Sequence, residues 1–183
     1  MKVREKYKGL SREALLDKAY ELGRDYEKNS KSCCQSTVAA LHELLEIDDI
    51  VVKVATSSAG GQAGQVSGTC GALIGGTMVL DYFFGRPVEK TSHVEFIPEN
   101  VGLLMDAMTG PAATLYQRFV KEYGSIICPH IQVNFFGRHF YFLDPDNSRK
   151  MDEAADEEHQ CHKLVGNAAR WVIEIMLDKG LKV

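Results

Sequence analysis

The chain has 183 residues, a formal net charge of −4 and a pI near 5.9. That length is enough for one domain with a hydrophobic core, and the weakly acidic balance argues against nucleic-acid binding or docking on an anionic membrane. No apolar run is long enough to insert into a membrane, and Met1–Arg12 shows no signal-peptide pattern, so a cytoplasmic protein is expected.

The predicted elements are helical almost throughout. Ser11–Glu27 reads as an amphipathic helix with Ser11 as N-cap and Leu15, Ala19 and Leu22 at helical spacing. Asn29-Ser30 is a break. A second helix runs from about Ser32 to Leu45, and Ile50–Ser57 is read as a further helix. Ala59–Thr69 is glycine-rich and must be loop or tight turn. From Cys70 an apolar helix begins, with apolar residues on most sides, and is expected to be central and buried. Gly85-Arg86-Pro87 ends it, and Val88–Pro98 is a polar connection. Asn100–Met108 and Ala112–Tyr123 are helical, with a break at Gly110-Pro111.

Beyond Gly124-Ser125, the alternation in His139–Leu143 suggests a short extended piece, and Asp144–Asn147 reads as a turn. Asp152–Glu158, followed by His159, is read as a solvated charged face. A last helix covers about Cys161–Asp178, with Trp171 assigned to the core. The fold class expected is mainly α: a single-domain helical bundle, 1–183, with a Gly-rich loop before a central apolar helix.

Five cysteines in a reducing compartment are core residues, metal ligands or redox centres, and an odd count argues against a fully paired disulfide framework. Four of them, Cys33, Cys70, Cys128 and Cys161, fall near expected helix ends or beside glycine or proline. Helix N-termini favour thiolate, the form that binds metal or attacks disulfides. No pair has the two-residue spacing of a zinc ribbon or a thioredoxin-like site, so any shared site must be assembled by the fold. Asp81 is unusual in an apolar helix and needs either a partner or exposure.

Cys70-Gly71-Ala72-Leu73-Ile74-Gly75 matches a CGAxxG motif in full. Ser32-Cys33-Cys34-Gln35-Ser36, Tyr123–Cys128 and Cys161–Ala169 supply three further segments in order. Together they resemble a family of redox-active proteins named for a C…GCAxxG…C…C pattern, over about residues 32–171, and are similar to the non-haem part of split-Soret cytochromes. The resemblance implies a helical redox domain in which Cys33, Cys70, Cys128 and Cys161 act together.

An iron–sulfur cluster, [2Fe–2S] or [4Fe–4S], held by these four thiolates and used for electron transfer is the leading expectation. Gly68, Gly71, Ala72 and Gly75 would line it. Covalent haem is excluded by the lack of Cys-x-x-Cys-His. A cofactor-free thiol–disulfide protein, which needs a cysteine pair with Cα atoms within about 7 Å, and a structural zinc site are the alternatives. Cys34 is expected in the core, and His130 and His162 at the surface or capping helices. The redox partner is unknown, and a homodimer is possible.

Overall fold

A computed structural model describes residues 1–154 and 160–183. Among these residues the fold is mainly α, with no strand beyond isolated bridges. The elements are α1 (Arg12–Ser30), α2 (Cys33–Leu44), α3 (Asp49–Val54), α4 (Gly71–Phe84), α5 (Pro98–Thr109), α6 (Pro111–Tyr123), α7 (Cys128–Phe136), α8 (Pro145–Ala154) and α9 (Gln160–Asp178). None of them is long and apolar enough to cross a membrane.

Local chemistry explains the boundaries. The Ser11 hydroxyl accepts the Ala14 N–H at 3.2 Å and starts α1. Lys31, in a left-handed conformation, ends it, and the helix runs through the expected break at Asn29-Ser30 to Ser30, three residues past Glu27. Proline stands in the first turn of both α5 and α6, where its missing N–H costs nothing. Gly124 closes α6 at positive φ.

The core is built by α1, α2, α4 and α9, with α6 packed on α4 and α9. α1 lies along α9 at very short range. A Cβ at Gly23 would meet the Val165 carbonyl at 2.8 Å, and one at Gly166 would meet Tyr20 at 2.8 Å. The interior is filled by Leu15, Val38, Leu41, Leu80, Leu115, Phe119, Val172, Ile173 and Met176, all essentially inaccessible. Trp171 is partly buried and packs edge-on against Phe119, as expected of a core residue.

Two expectations need correction, and one helix had no expectation. His139–Leu143 is irregular rather than extended, because no neighbouring strand offers it a ladder. The Asp144–Asn147 turn is the start of α8: Asp144 accepts the Asp146 and Asn147 N–H groups, and Pro145 opens the helix. The segment after Ile126 folds into α7, which was not expected. Asp81 is exposed, which resolves its place in an apolar helix. Of the acidic stretch, 152–154 are exposed on α8, while 155–158 and His159 lie outside the described residues.

Candidate redox site

Each of the four pattern cysteines sits at a helix start. Cys33 is the first residue of α2, Cys70 is the N-cap of α4, Cys128 is the first residue of α7, and Cys161 lies in the first turn of α9. The fold turns these four helix ends toward one cavity of about 350 Å³, lined by all four cysteines. Cys70 and Cys128 are buried, and Cys33 and Cys161 are half-buried. No disulfide joins any of the five cysteines.

A short backbone pairing brings Cys70 and Cys128 together across a long stretch of sequence. Cys70 N–H donates to the Ile126 carbonyl at 2.8 Å, and Cys128 N–H donates to the Gly68 carbonyl at 2.9 Å, around an antiparallel bridge between Thr69 and Ile127. The same pairing places the starts of α4 and α7 side by side.

The glycine-rich loop folds over the cavity in an unusual conformation. Residues 60–64 all have positive φ, as does Val66 at 53°. For Gln62, Ala63 and β-branched Val66 this costs about 1–2 kcal/mol each. The turn is held by Val66 N–H to the Gly60 carbonyl at 2.8 Å and Gly68 N–H to the Gly61 carbonyl at 2.9 Å. It brings the Gly60 N–H toward the Cys33 sulfur. A Cβ at Gly61 would stand 3.0 Å from the Cys128 Cβ, so the loop can lie against α7 only without a side chain there.

The glycines named from sequence divide by role. Gly71 has no room for a side chain, since its Cβ would lie 2.4 Å from the Cys33 sulfur. The Ala72 N–H, with that of Leu73, faces the Cys70 sulfur. Gly68 supplies the carbonyl that receives Cys128. Gly75 packs against the Cys34 carbonyl and lets α2 and α4 approach; its place is between helices rather than at the cavity. The backbone that lines the cavity itself comes from Ala59, Gly60 and Gly64.

Burial dominates the electrostatics. It pushes Cys70 up to about 12 and lifts Cys33 and Cys161 well above the ordinary thiol range, with neighbouring cysteines adding to the effect. Cys128 is also raised by burial, against the opposing hydrogen bond from Gln132. Cys34, fully enclosed in the core, is pushed to about 12 by burial and does not line the cavity. His130 is exposed near Ser125, while His162 lines the cavity.

Two residues at the site escaped the sequence reading. Gln132 on α7 is 2 % exposed; it donates to the Cys128 sulfur at 3.4 Å and accepts the Phe140 N–H at 2.8 Å. It thereby fixes both the thiol and the segment that carries Phe142 over the cavity. Glu27 on α1 is buried, and burial lifts its carboxyl to about 7. Its signal was present in sequence, because Glu27 continues the buried stripe Ala19, Gly23 at four-residue spacing.

As the side chains stand, no group of three or more His, Cys, Asp or Glu among the described residues is close enough to hold a metal ion. The thiols surround a space instead of meeting at a point.

A family model described as "Putative redox-active protein (C_GCAxxG_C_C)" matches residues 31–175. The chain belongs to this redox-active family. The match contains all four cysteines that line the cavity and includes the CGAxxG segment at the start of α4. Neither a curated protein nor a solved structure gives a significant match.

Proposed function

We propose that Cys33, Cys70, Cys128 and Cys161 hold an iron–sulfur cluster and that the protein transfers electrons through it. The observation that carries this reading is the convergence of four thiols, from four helix starts, on one cavity. The donor set suits the group: four thiolates are the common ligands of both [2Fe–2S] and [4Fe–4S] clusters. Such a cluster would supply one-electron chemistry at a site with no other redox group.

The chain's own residues would do the rest. N–H groups of Gly60, Ala72 and Leu73, and the Gln132 amide, face the sulfurs and would offset thiolate charge, which raises reduction potential. Ile131, Phe142, Met151 and Leu164 line the cavity and exclude water. The small backbone at Gly60 and Gly71 leaves space where a side chain would collide with Phe142 or the Cys33 sulfur.

The two alternatives fit less well. A single zinc draws four sulfurs to about 2.3 Å from one ion, and no such close group of donors occurs among the described residues. A metal-free thiol–disulfide cycle would use a pair of cysteines, and gives no role to a space shared by all four.

The test is anaerobic purification and reconstitution with ferrous iron and sulfide, followed by iron, sulfide and zinc analysis and a visible spectrum. Stoichiometric iron and sulfide with a dithionite-bleachable absorbance are expected. Colourless protein with one zinc would replace the reading with a structural site. Metal-free protein after reconstitution would replace it with thiol–disulfide chemistry.

A further inference from the structure

The cavity contains a donor that the cysteine pattern does not include. Glu27 is 8 % exposed and lines the same cavity as the four cysteines. Its Oε2 has no hydrogen-bond partner. Ser36, one turn beyond Cys33 on α2, is also buried; its hydroxyl and the Ser32 N–H face the Glu27 carboxyl, but neither the hydroxyl nor Oε2 has a partner within hydrogen-bond distance. These are the two buried side-chain oxygens left without a partner among the described residues.

The carboxylate and the four cysteines line one and the same cavity, so it is placed to share a group bound there. Lys31 lines the same cavity and its charge acts on the carboxyl, but it bonds Asp152 at 3.2 Å rather than Glu27. An unpaired buried carboxylate oxygen costs free energy, and native proteins keep such a group where something else satisfies it.

We propose that Glu27 binds iron through Oε2, adding a carboxylate oxygen to the four-thiolate set. This deepens the cluster reading above and rests on it. Iron accepts both thiolate and carboxylate donors, and coordination would satisfy the oxygen that the protein leaves open. Any proton the carboxyl carries is released to solvent as the Fe–O bond forms. A hard oxygen donor favours the oxidised iron, opposing the N–H groups that face the sulfurs.

The test is Mössbauer spectroscopy of protein reconstituted with ⁵⁷Fe(II) and sulfide, comparing wild type with Glu27→Gln, which keeps the side-chain shape. Circular dichroism checks that the variant folds. The wild type is expected to show one iron component with a larger isomer shift than the rest, and Glu27→Gln to lose it while keeping its iron content. An all-thiolate spectrum in the wild type overturns the proposal without reference to any variant, and so do superimposable spectra of the two proteins. Wild type that takes up no iron overturns the cluster reading and this inference together. Wild type that is iron-loaded but all-thiolate overturns this inference alone.

Discussion

The helical core and the cap over its end are built on opposite principles. The core of α1, α2, α4, α6 and α9 is apolar and tightly packed, with glycines where helices touch. The cap consists of the loop 57–69, α7, the segment 137–144 and α8. It is held by positive-φ turns, a buried amide and exposed ion pairs. Cys33, Cys70 and Cys161 are carried by core helices, whereas Cys128 is carried by the cap. The difference teaches that the core fixes three corners of the site, and the cap brings the fourth and closes the space.

The largest effect is expected in the core. Phe119→Ala removes a fully buried ring that packs on Tyr123 and Trp171. It should cost about 3–5 kcal/mol in denaturant unfolding. A loss of less than about 1 kcal/mol would mean that the core is far looser than its packing implies.

Next comes the pH dependence set by Glu27, where core and cavity meet. Burial raises the carboxyl from its ordinary value near 4.5 to about 7 in the folded protein, so the folded state binds the proton more tightly than the unfolded chain. The stabilising contribution is fully present below about pH 4.5 and is lost as pH rises toward 7. In metal-free protein this window should show a fall of up to about 3 kcal/mol, flattened in Glu27→Gln. Equal slopes for the two proteins would show that the carboxylate is not buried as described.

In the cap, Gln132→Ala leaves the Phe140 N–H without its acceptor and the Cys128 sulfur without its donor. A stability loss of about 1–3 kcal/mol is expected, with faster hydrogen exchange confined to 137–144. Global rather than local exchange would contradict the division into core and cap. The smallest effect is expected at the rim: Lys31→Ala removes an exposed pair with Asp152 and should change stability by about 0–1 kcal/mol.

The same division governs what could be read from sequence. Core helices announce themselves through periodic apolar residues, as in α1 with Leu15, Leu16, Ala19 and Leu22, and in α9 with Val165, Ala168, Ala169, Val172, Ile173 and Met176. The cap has no such stripe. Its helices are marked by local signals that read equally as turns: Pro129 after Cys128, with Gly137 closing α7, and Asp144-Pro145 opening α8.

Which cysteines belong together was suggested by the ordered motifs. How they meet was not legible, because the Thr69–Ile127 bridge joins backbone groups and leaves no mark in side-chain pattern. Gln132 was hidden for a related reason, since a glutamine that will be buried looks like one that will be solvated. Gly75 was assigned to the cofactor on motif grounds, and the structure uses it to seat α4 against α2.

The central claim is that four cysteines form one site and the fifth stands apart. Iron and sulfide content after anaerobic reconstitution, measured for Cys33→Ser, Cys70→Ser, Cys128→Ser, Cys161→Ser and Cys34→Ser beside wild type, tests it most directly. The account predicts loss or severe depletion of the cluster in the first four and retention in Cys34→Ser. Full loading of any of the four, or loss in a folded Cys34→Ser protein, would contradict it.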